Sequence, residues 1–113
     1  MREELRDPAR LEHILASIDR IYGFVEGHSL EDFRGNTVLF YAIVKNLEII
    51  GEAAYMLTPA FRETHPDTPW KQIIGLRHIL VHDYYQVDAE ELWNIVANDL
   101  QPLQTRIKAY QNE

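Results

Sequence analysis

Cysteine is absent from the chain. Its absence removes disulfides, thiolate metal sites and cysteine nucleophiles together. Long apolar runs are missing too, since nothing reaches the roughly eighteen consecutive apolar residues of a bilayer span. The opening stretch, MREELRDPARLEHIL, is charged and carries no apolar segment of the signal-peptide kind. No run alternates with period two, so strands are not expected, and there is no internal repeat or low-complexity tract. Positive charge is scarce: 11 Lys and Arg stand against 18 Asp and Glu, a formal net charge of −7. That is the wrong sign for coating nucleic acid through long-range attraction. Any contact with phosphates must be local, made by a few positive groups in a cleft. The expectation is a soluble cytoplasmic protein with no membrane contact.

What is present is core material. Apolar residues make up 46% of 113 residues, enough for one packed domain over residues 1–113. Asp7-Pro8 looks like a helix start, with Asp as N-cap and proline at the first helical position. Leu11, Ile14, Leu15, Ile18, Ile21, Tyr22 and Val25 then repeat at steps of three and four, up to a stop near Gly27. Ser29–Phe33 predicts a short turn of helix, and Gly35-Asn36 separates it from a long helix over Val38–Leu57. Apolar residues wrap most of that helix, which predicts burial on all sides and, in so small a bundle, a homodimer. Within it, Gly51-Glu52-Ala53-Ala54 offers a small-residue surface for a second helix and places Glu52 in dry surroundings.

Thr58-Pro59 interrupts the pattern, and Arg62–Pro66 follows as a polar surface loop. Thr68-Pro69 should cap the next helix, which runs through Trp70 and frays near Tyr84 or Tyr85. Asp88, with Glu91 three residues on, forms a capping box for a last helix carrying Leu92, Trp93, Val96, Leu100, Leu103, Ile107 and Tyr110. Pro102 should bend or break it. Four amphipathic helices with short links predict an all-α, four-helix bundle.

Gly75–Tyr85 concentrates an arginine, two histidines and two tyrosines. At 100° per residue, Trp70, Ile73, Ile74, Leu76, Leu80, Val81 and Tyr84 share an apolar arc with Arg77 in its middle. A guanidinium cannot shed its proton, so on such a face it needs an anion. That anion is either a carboxylate of the protein, with Glu52 the candidate, or an incoming phosphate. His78 and His82, four apart, are neighbours on the arc's flank.

The order of Ile49–Ala54, Pro69–Ile73, Arg77-x4-His82-x-Tyr84, Val87-Asp88 and Asp99–Leu103 resembles the HepT-type toxins of the HEPN superfamily. The resemblance covers nearly the whole chain. It implies metal-independent RNA cleavage in a site shared across a homodimer, with no cofactor. It implies Arg77 and His82 as the catalytic pair and Tyr84 as the hydroxyl to which an MNT-type nucleotidyltransferase antitoxin transfers AMP, silencing a type VII-like toxin. His78 departs from the family's commonest form, which has asparagine there, and its contribution stays open as a supporting group.

The residue types suit that chemistry. Histidine titrates near neutrality and can move the proton of an attacking 2′-hydroxyl. Arginine stabilises the charge gathering on the phosphorane. On a straight helix Arg77 and His82 point about 140° apart, so one copy alone makes a poor site. Plainer roles stand beside these. Arg77 can be a structural arginine paired with Glu52, His82 a packed ring, and Tyr84 a core ring with its hydroxyl at the rim. His78 and His82 could share a metal, although no third ligand is obvious. His13, His28 and His65 look like surface residues. A non-catalytic nucleotide- or substrate-binding subunit of a small nucleotidyltransferase is the alternative function, and a plain helical assembly protein is a further one.

Overall fold

The structure, a computed structural model, describes residues 2–113, with side chains from residue 6 onward. Among the described residues there are no strands, and the helices follow as α1 (Arg2–Val25), α2 (Leu30–Gly35), α3 (Thr37–Met56), α4 (Pro59–Glu63), α5 (Trp70–Asp83), α6 (Ala89–Asn98) and α7 (Leu100–Gln111). A 3-10 turn, Tyr84–Gln86, follows α5. The all-α expectation therefore holds, built from five longer helices and two short ones. The expected last helix is divided: α6 stops at Asn98, and α7 begins two residues later. The proline ring of Pro102 would meet the carbonyl four residues back, which is that of Asn98. The break falls there, and Pro102 lies in the first turn of α7, where a missing N–H costs nothing.

α3 is central, with α1 packed on one side and α5 on the other; α7 closes onto α1, and α6 covers α2. The predicted stripe of α1 supplies Leu11, Ile14, Ile18 and Ile21, all buried, and α3 adds Ile43, Leu47, Ile50 and Ala54. Leu80, Leu92, Leu103 and Ile107 complete the core from the other side. Each buried aliphatic side chain contributes about 1.5–3 kcal/mol relative to exposure.

Within the single protomer, α3 is not buried on all sides. Val38 is 80% exposed, and Tyr41, Tyr55 and Met56 are exposed with it. These positions share one arc of the helix, the side to which neither α1 nor α5 reaches.

Several end signals act as the sequence suggests. Gly27 takes φ +77° just past α1, a left-handed conformation suited to glycine. Ser29 and Asp32 form a reciprocal capping box, and the Asn36 side chain accepts from Leu39 N. Asp88 caps α6 by accepting from Glu90 N at 3.0 Å. The capping box expected with Glu91 does not form, since the Glu91 side chain does not accept from the Asp88 backbone. The two Xaa-Pro starts do not cap as expected. α1 runs straight through Pro8, and the Asp7 carboxylate instead accepts from the backbone N and hydroxyl of Thr58 at 3.0 and 2.8 Å. Thr68 makes no side-chain cap for α5, because its hydroxyl is engaged by that of Tyr110.

His65 is also no surface residue: its side chain is 11% exposed, stacked on Phe61 at 4.1 Å. Its Nδ1 faces the Phe61 carbonyl and its Nε2 faces Glu113, each at 2.7 Å. Burial works against the imidazolium, but the Phe61 carbonyl and the Glu113 carboxylate outweigh it and raise the pKa. No helix among the described residues is long and apolar enough to cross a membrane.

Candidate active site

The site begins with a glycine. A Cβ placed on Gly51 of α3 would lie 2.2 Å from Cβ of Arg77 and 3.1 Å from the Ile73 carbonyl on α5. The missing side chain lets the two helices meet there and seats the stem of Arg77 on the backbone of α3. The expected close approach at the small-residue run is thus real, and the helix that approaches is α5.

The neighbouring residue, Glu52, points around the helix by about 100° and emerges at the rim. It is not in dry surroundings: its side chain is 48% exposed. Glu52 Oε2 meets Arg77 Nε at 2.9 Å, and the Arg77 side chain is 34% exposed. Arginine here is therefore half-buried, with its stem covered and its head at the surface. An ion pair so open to water is worth about 1 kcal/mol or less, and it orients the head more than it holds the fold. With Nε committed to Glu52, the Nη1/Nη2 edge of the guanidinium is the fork that remains for an incoming anion.

Arg77 and Glu52 line a groove of about 280 Å³ between α1, α3 and α5. Its other walls include Arg10 and His13 from α1, Lys45 and Glu48 from α3, and Val81 from α5. Val81, placed on the buried arc by the helical period, is exposed here. Arg10 and Lys45 have no distinguishing spacing in the sequence. His13 was expected at the surface, and it is exposed, but on the wall of this groove.

His82 does not line the groove. α5 is unbroken from Trp70 to Asp83, so fraying does not swing His82 round to Arg77. His82 instead pairs with His78, ring centroids 4.6 Å apart, both rings exposed. Among the described residues no cluster of three metal-ligand side chains includes them. The helix ends where expected. Tyr84 stands in the 3-10 turn, 39% exposed rather than packed in the core, and meets Tyr41 edge-on with centroids 5.8 Å apart. Hydrogen bonding to Tyr84, followed by the proximity of its ionisable hydroxyl, raises the Tyr41 pKa. Tyr85 is more exposed still.

Comparison with known proteins assigns this arrangement to a family. Residues 14–110 match the family described as ribonuclease HepT-like. A candidate RNase of Caldanaerobacter subterraneus subsp. tengcongensis is 41% identical over 98 residues, covering 87% of this chain and 88% of that protein. A candidate RNase of Methanocaldococcus jannaschii is 37% identical, covering 88% of this chain and 92% of its own. A candidate ribonuclease HepT of Thermococcus cleftensis is 34% identical, with 87% and 89% covered. No solved structure matches the chain. With a family match across all but its ends, and with relatives aligned over most of both lengths, the chain belongs to the HepT-like ribonuclease family of the HEPN superfamily.

Proposed function

We propose that this chain is an endoribonuclease that acts as one HepT-like domain over residues 1–113, paired as a homodimer, and cuts RNA without a metal. Membership of a ribonuclease family supports the activity. The observation that carries the mechanism is the Arg77 head, tethered through Nε by Glu52 with its Nη edge left for a phosphate at the groove. Cleavage proceeds by attack of the 2′-hydroxyl on the adjacent phosphorus. The 2′ proton passes to an imidazole, the bond from phosphorus to the 5′-oxygen breaks, and that oxygen takes up a proton. The products are a 2′,3′-cyclic phosphate and a 5′-hydroxyl. Arg77 stabilises the charge on the non-bridging oxygens of the phosphorane. His82 supplies the imidazole. Because His82 faces away from the Arg77 groove of its own chain, Arg77 acts with His82 of the partner subunit. His78, whose ring lies tilted against that of His82, is a supporting group that limits the ring's freedom.

Control belongs to Tyr84. Its exposure and its place beyond the last full turn of α5 support its being the acceptor of AMP from a nucleotidyltransferase antitoxin, the chain being the toxin of the pair. Tyr84 touches Tyr41, which lies one turn before Lys45 on α3, so a phosphate attached at Tyr84 would sit at the end of the Arg77 groove. There it would compete with the phosphate of the substrate.

Two measurements test this. With purified protein and transfer RNA, Arg77→Ala and His82→Ala should each lower kcat/KM by about a hundredfold or more, with cyclic phosphate ends on the wild-type products. Nucleotide binding without cleavage by the wild type would favour the non-catalytic subunit instead. With the partner transferase and ATP, Tyr84→Phe should abolish incorporation of AMP. Full modification of that variant would overturn the regulatory part.

A further inference from the structure

The α1 wall of the groove has no part in the chemistry described so far, yet it carries charge where this acidic chain has little to spare. Lys45 lies 4.0 Å from Glu48, and Arg77 is engaged by Glu52, so each of these cations has a carboxylate beside it. Arg10 does not. No ion pair among the described residues uses it, and its Nε is buried without a hydrogen-bond partner. His13 stands one turn further along α1, on the same side and in the same groove. The lining cations Arg10, Lys45 and Arg77 outnumber the carboxylates Glu48 and Glu52 by one, before any charge on His13, against −7 for the whole chain. A buried, unpaired guanidinium nitrogen carries a desolvation cost that an anion in the groove would offset.

We infer that Arg10, His13 and Lys45 form a phosphate-binding subsite, which holds the RNA strand one or more nucleotides away from the phosphodiester at Arg77. An acidic peptide has the same sign of charge, but the groove is continuous with the Arg77 fork, and a strand presents phosphates at regular intervals along it. The subsite explains how a protein of the wrong net charge can engage RNA: a short positive track does locally what the overall field opposes. Arg10 and Lys45 anchor two backbone phosphates, and His13 donates a hydrogen bond between them. That RNA is the occupant rests on the function proposed above.

The test uses a short single-stranded oligonucleotide with 2′-O-methyl riboses, which lacks the attacking hydroxyl, and measures binding to the full chain by fluorescence anisotropy. The double variant Arg10→Gln/Lys45→Gln keeps most of each side chain's bulk and removes both charges. It should bind about tenfold more weakly, with the slope of log affinity against log salt shallower by about 1.4 for two lost contacts. The variant Arg20→Gln/Lys108→Gln removes the same charge far from the groove and should bind as the wild type does. If it weakens binding equally, or if Arg10→Gln/Lys45→Gln changes nothing while its melting profile matches the wild type, the subsite is wrong. Displacement of the strand by an oligoglutamate peptide at equal charge concentration would also overturn it. Should Arg10→Gln/Lys45→Gln fail to fold, the single variants Lys45→Gln and His13→Gln, both exposed, give the same readout. Cleavage kinetics separate the two proposals. Loss of the subsite raises KM and leaves kcat within about twofold. Weakened oligonucleotide binding by the double variant, with no cleavage by the wild type, would sustain the subsite and sink the nuclease. Wild-type cleavage, with affinity and KM unmoved in the double variant, would do the reverse.

Discussion

A methyl group added at Gly51 would have to occupy space already held by Cβ of Arg77, and that atom is fixed to the backbone of α5. No rotamer change can relieve the overlap, so the helices must separate. Gly51→Ala should therefore destabilise the protein by about 1–3 kcal/mol, the usual cost of overpacking a helix contact. It should also shift Arg77 relative to Glu52. Denaturant unfolding followed by circular dichroism checks the first effect; an unchanged midpoint would mean that the contact is looser than it looks. This position was legible in the sequence as a small-residue run, and the contact follows from it. Glu52 is exposed, and not in the dry surroundings its apolar neighbours suggest, for a simple reason. Successive residues of a helix point about 100° apart, so a glycine at the centre of a helix contact puts its neighbour at the edge. Arg77 was legible in the same partial way: the period places its stem on the apolar arc, but a side chain this long ends well beyond the arc that holds its Cα.

Between elements, the chain's hidden work is done by polar side chains reaching far in sequence. Asp7 ties α1 to the start of α4, and Thr68 meets Tyr110 of α7. The Trp70 indole donates to the His65 carbonyl at 2.9 Å, and His65 in turn holds Glu113. Periodicity and capping signals report only what happens within a few residues, so helix faces and most stops could be read, whereas these cross-links could not. Local spacing offers Asp7 and Thr68 no partner but the starts of their own helices, so their distant partners leave no mark in the sequence. The His65 link has a pH signature. Its pKa is raised above the ordinary value of 6.5, so the folded state binds the proton more tightly than the unfolded chain. The stabilisation is fully present below 6.5 and is lost as the pH rises through the folded-state value. Glu113→Gln, which keeps the shape and removes the charge, should cost on the order of 0.5 kcal/mol at mildly acid pH, because the partner carboxylate is largely exposed. The gap between variant and wild type should close in alkaline solution. Melting temperatures from about pH 5 upward, where the carboxylate is ionised, measure it. A gap that widened with pH would mean that His65 is held neutral.

For the molecule as a whole, the unused surface is as informative as the core. Val38 and Tyr41 on the outer arc of α3, with Ile79, Val81 and Tyr84 from α5 and the turn after it, leave apolar side chains exposed, and Val81 among them lines the groove. Apolar surface of this kind at a polar site often marks where a second chain sits. A single protomer puts Arg77 in the groove and His82 outside it, an incomplete constellation unless a second copy completes it. If Arg77 of one chain works with the imidazole of the other, two inactive proteins should repair each other. Arg77→Ala and His82→Ala subunits, mixed and allowed to exchange, form mixed dimers that carry one site with both groups intact and one with neither. Random pairing makes half of all dimers mixed, and half of their sites are whole, so activity should return to about a quarter of the wild-type level. The return should follow the rate of subunit exchange, which sedimentation and light scattering can follow alongside cleavage. If each site were built within one chain, mixing would restore nothing, since every chain would still lack one of its two groups. A monomer at all concentrations, with activity intact, would defeat the shared site outright, because no second copy would be there to bring the imidazole to the arginine.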